Sequence, residues 1–170
     1  VDVMMVPIDG LFDLPRLQEL GLHELSINIE LFDAEVAAQM MPQKHRQGLD
    51  LYLGFIERAA EVLGQGRVRS ILMVGLEPPE ATLAGVRAIL GAGGVPVLSP
   101  FRPDPATPLR DFIPPTAEAF EEVFLAATEL AKSAGVELGP FCPPCTHNTL
   151  TLVGRKRGEE AYRYPVPVVV

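Results

Sequence analysis

The segment Ser70-Ile-Leu-Met-Val-Gly-Leu-Glu77 reads as a buried strand that ends at a glycine and a carboxylate. Pro78 and Pro79 follow at once and open a helix, so the segment is a strand-to-helix junction. In α/β proteins small molecules bind at the carboxyl ends of parallel strands, and a glycine there lets a flat ligand lie against bare backbone. The sequence therefore predicts a ligand pocket at this end of the strand.

Strands and helices alternate on both sides of this segment. Apolar patterning predicts strands at residues 1–6, 24–30, 68–75 and 96–99. Helical spacing predicts helices at residues 14–20, 34–41, 49–63, 80–90 and 116–133, with a charged turn at residues 43–48. Elements in this order build parallel βαβ units. We therefore expect an α/β fold, a partial (β/α) barrel of the TIM type with about four parallel βα units.

The number of predicted strands indicates that about half of the barrel is supplied from outside this sequence. About four strands cannot close an eight-stranded barrel, and parallel sheets rarely leave an edge exposed. The chain also begins directly in a strand, without an initiator methionine. We expect residues 1–139 to be the C-terminal half of a barrel, whose N-terminal half is supplied in cis by a longer protein or in trans by a partner. Residues 140–170 are expected to be an extension that forms an extended arm or a hairpin.

Composition excludes several classes of partner. The 170 residues carry a formal net charge of −8 and no sustained basic run, which argues against nucleic acid. No apolar stretch approaches the roughly 20 residues that cross a bilayer, and the first residues lack the pattern of a signal peptide. Two cysteines are too few for a disulfide framework. We expect a soluble, cytoplasmic protein that acts on a small molecule.

Asn28 and Glu30 are the first candidates for ligand binding. They lie two residues apart near the carboxyl end of the second predicted strand, and so are expected to project to the same face. An amide and a carboxylate in this arrangement can bind a vicinal diol such as that of ribose. The structural alternative is that both side chains satisfy the backbone of a neighbouring loop. For Gly75 the alternative is relief of crowding where a helix meets the sheet, and for Glu77 it is the capping of the following loop or a salt bridge to it.

Three segments together resemble a known family. They are Leu25-Ser-Ile-Asn-Ile-Glu30, the strand at residues 71–77 and the proline-rich stretch at residues 98–109. Their combination resembles the second half of a radical S-adenosylmethionine (SAM) enzyme of the biotin synthase-like group, and it covers most of the chain. The resemblance implies SAM and a [4Fe–4S] cluster as cofactors. It also implies hydrogen abstraction from a substrate by a 5′-deoxyadenosyl radical.

The resemblance also implies roles for particular residues. Asn28 and Glu30 correspond to the residues that bind the ribose hydroxyls in that family. The adenine would contact Met73, Val74, Gly75, Leu98 and Phe101, and Arg102 would face the mouth of the pocket. The family often supplies a basic residue for the methionine carboxylate, and the nearest candidates are Lys44, His45 and Arg46.

The family's cluster-binding loop, Cys-x3-Cys-x2-Cys, has no counterpart in this sequence. Without three thiolates from elsewhere, the chain cannot hold the iron–sulfur cluster. The glycine-rich motif that binds the methionine amine is missing as well. We therefore expect the chain to be inactive without the cluster-binding half.

The chain's two cysteines form a separate motif, Cys142-Pro-Pro-Cys145, with His147 two residues beyond. Two thiolates and an imidazole in one turn are half of a zinc site or of a second iron–sulfur site. A redox dithiol and a structural pair of thiols are the alternatives.

Two functions of other classes compete with the radical SAM interpretation. One is a noncatalytic α/β module that binds a nucleoside through Asn28 and Glu30 without any cluster. The other is a half-barrel that docks on a partner through its exposed first strand. An upstream Cys-x3-Cys-x2-Cys loop in the same reading frame would favour the enzyme over both.

Overall fold

The computed structural model describes residues 2–8 and 13–139. Within them, four strands form one parallel sheet in the order β1-β2-β3-β4. The strands are β1 (Asp2–Met5), β2 (Glu24–Ile27), β3 (Val68–Val74) and β4 (Val95–Pro100). The predicted α/β class, a partial (β/α) barrel with four parallel strands, is confirmed. The predicted C-terminal arm lies outside the described residues.

Six helices connect the strands or follow them in the described part of the chain. The helices are α1 (Leu14–Glu19), α2 (Ala34–Met40), α3 (Pro42–Gln47), α4 (Leu49–Leu63), α5 (Pro79–Gly91) and α6 (Ala117–Ser133). Thr116 caps α6, since its hydroxyl accepts from the Ala119 N–H at 3.2 Å. The predicted turn at residues 43–48 is instead the helix α3, because Pro42 starts a helix well and Gly48, at φ +90°, ends it.

One hydrophobic core lies between the sheet and the helices. Alternate residues of β2 and β3, such as Leu25, Ile27 and Leu72, are fully buried in it. Helices α1, α4, α5 and α6 contribute apolar side chains to it, with Ile56 and Ala59 from α4 and the aromatic residues of α6. Burial in the core therefore determines which strand residues are left to line the opposite face of the sheet or the strand ends.

The fourth strand has a further neighbour. Gly139 pairs in parallel with Val97, and its N–H donates to the Pro96 carbonyl at 3.1 Å. Because Val97 also pairs with Ile71 of β3, Gly139 lies on the other edge of β4. The chain thus returns to the sheet after α6. The predicted domain boundary between residues 139 and 140 falls at this point and stays a prediction.

Glu77 joins two loops at the carboxyl ends of the strands. Its Oε2 accepts from the Phe32 and Asp33 N–H groups, both at 2.8 Å, and its Oε1 accepts from the Thr82 hydroxyl at 2.9 Å. Asp33 is the N-cap of α2, so the carboxylate supports the start of that helix. Glu77 is buried and caps a loop, as its structural alternative predicted in kind, but the capped N–H groups lie in the loop after β2 and not in the following loop.

We expect Glu77→Ala to destabilise the protein by about 3 kcal/mol, because it leaves two backbone N–H groups and a buried hydroxyl without their acceptor. Urea unfolding measures the loss. Glu121→Ala removes an exposed carboxylate from α6 and serves as the control, with an expected change within about 0.5 kcal/mol. Equal midpoints for the two variants would contradict the bridging role of Glu77.

Candidate functional site

A cleft of about 560 Å³ opens at the carboxyl ends of β3 and β4. Met73 and Ser99 contribute to it side by side, since they are register partners in the sheet. Gln39 and Met40, at the end of α2, line it as well. The loop that follows β4, residues 101–109, supplies much of the remaining lining. The predicted pocket at the carboxyl end of the central strand therefore corresponds to a cavity in the structure.

The loop after β4 has an ordered start. The Phe101 N–H donates to the Val74 carbonyl at 2.8 Å, which extends the pairing of β3 and β4 by one residue. The buried Phe101 ring meets Phe112 edge-on, with 6.4 Å between the ring centroids. Asp104 forms a turn in which its Oδ1 accepts from the Ala106 N–H at 2.8 Å. These contacts hold the residues that line this part of the cleft.

Gly75 lies where the loop before α6 returns to the sheet. Its φ of +106° is disfavoured for residues with a side chain. A Cβ atom on Gly75 would come within 2.6 Å of Pro115 Cδ. The close approach of Pro115 explains a glycine here. The structural alternative predicted crowding at this position, but the crowding comes from the loop before α6 and not from a helix on the sheet. A ligand contact by Gly75 stays a prediction, and any ligand would have to share this surface with Pro115.

We expect Gly75→Ala to destabilise the protein by about 2 kcal/mol, because the backbone is strained for alanine and Pro115 must move. Thermal unfolding measures the effect. Gly91→Ala is the control, since a Cβ atom at Gly91 meets nothing within 4 Å and alanine favours a helix. A Gly75→Ala protein as stable as the Gly91→Ala protein would contradict this account.

β2 departs from regular geometry before it reaches its predicted end at residue 30. Ser26 pairs with Arg69 and Glu30 with Leu72, so four steps along β2 match three along β3. The extra residue is a bulge, and it ends the regular strand at Ile27. The expectation of a regular strand through Asn28 and Glu30 is therefore wrong, because the bulge interrupts it. The convergence of the two side chains on one ligand stays a prediction.

At this bulge, side-chain oxygens replace some of the backbone hydrogen-bond acceptors between β2 and β3. Asn28 Oδ1 accepts from the Ile71 N–H at 3.2 Å, and Ser70 Oγ accepts from the Ile29 N–H at 3.0 Å. Backbone pairing resumes at Glu30, whose N–H donates to the Ile71 carbonyl at 2.9 Å and whose carbonyl accepts from the Met73 N–H at 2.7 Å. The Asn28 side chain thus has a structural partner through its oxygen, and the group that it would present to a ligand is its Nδ2.

Glu30 combines an unusual backbone with a charged partner. Its φ is +72°, in the left-handed region that costs a residue other than glycine about 1–3 kcal/mol. Its Oε1 lies 3.2 Å from the Lys44 ammonium, and both side chains are about a quarter exposed. Burial, followed by the negative charge of Glu30, raises the pKa of the nearby Tyr52 phenol above its ordinary value of 10.0. Backbone strain of this kind clusters at functional sites.

We expect Glu30→Gly to be about 1 kcal/mol more stable than Glu30→Ala, because both variants lose the carboxylate but only glycine accepts the left-handed backbone. Chemical denaturation of the two variants measures the difference. The matched pair Glu121→Gly and Glu121→Ala, on an exposed face of α6, should show the opposite order. The same order at both positions would contradict the strain at Glu30.

The structure gathers some of the predicted site residues and separates others. Met73, Phe101 and Arg102 line the cleft. Asn28 and Glu30 are joined to the same part of β3 through their hydrogen bonds to Ile71 and Met73. By contrast, Leu98 and Val74 are buried in the core, so they could reach a ligand only through backbone atoms. The roles of all these residues toward a ligand stay predictions.

Sequence reasoning missed part of the cleft. Gln39 and Met40 were not expected there, and neither were Asp104, Thr107 or Leu109. The first two belong to a short helix, and the others to a loop without periodicity. No local pattern marks such residues, because their position depends on how α2 and the loop fold over the strand ends.

Other predicted features have no support in the described residues. Cys142, Cys145 and His147 lie outside them, so the predicted second metal site stays a prediction. Across residues 2–8 and 13–139, no group of three or more His, Cys, Asp or Glu side chains could hold a metal ion. Within the same residues, no helix has the length and hydropathy to cross a bilayer.

Met73 and Phe101 line the cleft and offer apolar contacts of the kind that suit a base. Asn28 and Glu30 are not among the lining residues; they lie on the neighbouring strand, where the Glu30 carbonyl accepts from the Met73 N–H. Their amide and carboxylate are a donor and an acceptor of the kind that suit ribose hydroxyls, and this ligand role stays a prediction. A [4Fe–4S] cluster does not fit, because the whole chain has two cysteines and both lie in its last 30 residues.

Comparisons with known proteins agree with the architecture. A radical SAM methyltransferase from Sphaerobacter thermophilus, known from a crystal structure, matches 81% of this chain with a TM-score of 0.57 and 18% sequence identity. The two proteins are similar in fold. The match covers 39% of the methyltransferase chain, so this chain spans well under half of its length. No protein-family model matches the chain, and no curated protein does.

Proposed function

We propose that this chain is part of a radical SAM enzyme and contributes the ribose and adenine side of the SAM site, together with part of the rim that meets the substrate. The observation that carries the proposal is the cleft at the ends of β3 and β4, beside the Asn28–Glu30 segment. The fold of the Sphaerobacter methyltransferase supports it. The finer assignment, the C-terminal half of a barrel of the biotin synthase-like group, belongs to the same proposal.

In this proposal, polar residues of the site bind the ribose of SAM and apolar residues contact its adenine. Asn28 Nδ2 and the Glu30 carboxylate bind the ribose hydroxyls, since an amide hydrogen and a carboxylate oxygen complement a diol. Met73 and Phe101 contact adenine, together with backbone atoms near Gly75. Arg102, which is exposed at the cleft, lies toward its mouth. The chain's own contribution is to bind and orient SAM.

The cluster has to be held by residues outside this sequence. When bound, a [4Fe–4S] cluster supplies the electron that cleaves SAM to a 5′-deoxyadenosyl radical. The missing half-barrel, in cis or in trans, is the proposed source of its three thiolates. The Cys142–Cys145 pair in the 140–170 extension is proposed as a second metal or cluster site. A small-molecule substrate and a cytoplasmic location complete the proposal.

The exposed edge of the sheet supports the proposal that an N-terminal half-barrel packs against this chain. β1 is an edge strand, because in the described chain it pairs with β2 alone. Its Met4 side chain is 65% exposed, and Ile8 beyond it is exposed as well. An exposed parallel edge with apolar side chains is rare in a finished α/β protein, since it invites pairing with another strand. A neighbouring strand from the proposed N-terminal half would cover it.

The binding of SAM to the natural full-length protein tests the proposal. We expect Ser99→Phe to weaken binding by about 2 kcal/mol, because the aromatic ring fills the cleft beside Met73. Ser99→Ala is the matched control at the same position and should change binding by less than about 0.5 kcal/mol. Isothermal titration calorimetry under anaerobic conditions measures both.

Two results would overturn the proposal. One is that the wild-type protein does not bind SAM, and the other is that the two Ser99 variants bind it equally well. A third measurement separates the enzyme from a noncatalytic nucleoside-binding module. With the cluster reconstituted and a reductant present, the enzyme should form 5′-deoxyadenosine, whereas the module should bind SAM without cleaving it.

A further inference from the structure

Lys44 links a helix to the irregular end of β2. Its Nζ donates to the Asn28 carbonyl at 2.9 Å and to Glu30 Oε1 at 3.2 Å. One ammonium group thus binds Asn28 through its backbone carbonyl and Glu30, where strand pairing resumes, through its side chain. Two of the three N–H bonds of Lys44 are used in this way.

The surroundings of Lys44 hold it in place. Lys44 lies on α3, and its ammonium is 5.8 Å from the centre of the Tyr52 ring on α4, within the range of a cation–π contact. The Tyr52 hydroxyl donates to Gln47 Oε1, which ties the ring to the end of α3. Lys44 also lines a largely apolar cavity of about 240 Å³ between the end of β2 and α2–α4. The Lys44 side chain, about a quarter exposed, thus lies along this cavity, and its ammonium contacts Glu30.

The bulge depends on such support more than a regular strand would. Between Ile27 and Glu30, side chains of Asn28 and Ser70 replace part of the backbone ladder. Glu30 then adopts a left-handed backbone, which persists only where the surroundings impose it. The bonds from Lys44 act on the two residues that the proposed function assigns to the ribose hydroxyls. Without them, the Glu30 carboxylate loses the one cation that the described residues place against it.

We propose that Lys44 is a positioning residue for ribose recognition: its ammonium holds Asn28 and Glu30 in the geometry that binds a vicinal diol, and it acts through them without touching the ligand. The inference rests on the proposed function. It differs from the role implied by the family resemblance, in which a basic residue binds the methionine carboxylate directly. The two roles make different predictions: in the first, the effect of Lys44 on binding depends on the ribose diol of the ligand, and in the second it depends on the methionine carboxylate.

Three ligands separate these roles in the natural full-length protein: SAM, adenosine and 2′,3′-dideoxyadenosine. Adenosine lacks the methionine carboxylate, and the dideoxy compound also lacks the diol. We expect Lys44→Met to weaken the binding of SAM and of adenosine by the same factor, about 10-fold, because the diol loses a charge-assisted hydrogen bond in its proper geometry. Binding of the dideoxy compound should be unchanged. Calorimetric titration gives the three dissociation constants.

Two further variants complete the test. Lys44→Arg keeps the charge and should restore at least half of the lost binding energy for adenosine. In a Glu30→Gln background, Lys44→Met should have a smaller effect than in the wild type, because Lys44 then acts mainly through its bond to the Asn28 carbonyl. Thermal unfolding of each variant shows whether it is folded, and the dideoxy compound reports an intact adenine site in the same sample.

The outcomes separate the inference from the proposed function. A loss confined to SAM would overturn the inference in favour of direct contact with the carboxylate. An equal loss for all three ligands, or no loss for any, would also overturn it, since neither depends on the diol. If the wild-type protein bound none of the three ligands, the proposed function itself would fail.

Discussion

The hydrogen bonds between residues 28–30 and β3 are the constraint on which the site depends. A parallel pair of strands can take an extra residue only if the backbone groups left over find other partners. Here Asn28 and Ser70 provide them, so pairing resumes at Glu30 after one irregular step. The polar side chains at this point are therefore part of the sheet as well as candidates for ligand binding.

This arrangement gives Asn28 a structural role. Its oxygen accepts from the backbone of Ile71, as the structural alternative predicted in kind, although the partner lies in β3 and not in a loop. A ligand role for its amide nitrogen stays a prediction and is compatible with this contact, because an amide carries its donor and its acceptor on different atoms. Glu30 is similar, since its backbone pairs with β3 while its carboxylate meets Lys44.

Contacts between loops complete the strand ends. Glu77 binds the start of α2, and Pro115 packs on Gly75 from the loop before α6. The loops after β2, β3 and β4 are thus fixed relative to one another. The cleft beside Met73 lies among them, which is why a substitution at a loop residue is expected to affect both stability and binding.

The sequence by itself determined the α/β class, the four strands and most of the helices, because apolar periodicity records which residues are buried within each element. It also predicted the end of the sheet at which the cleft lies, since parallel strands share a direction. The tertiary structure alone decided the bulge, the helix at Pro42–Gln47, the burial of Leu98 and the partners of Glu77. The Asn28–Ile71 and Glu77–Phe32 bonds join residues 43 and 45 positions apart, and a local pattern has no means of encoding such a partner.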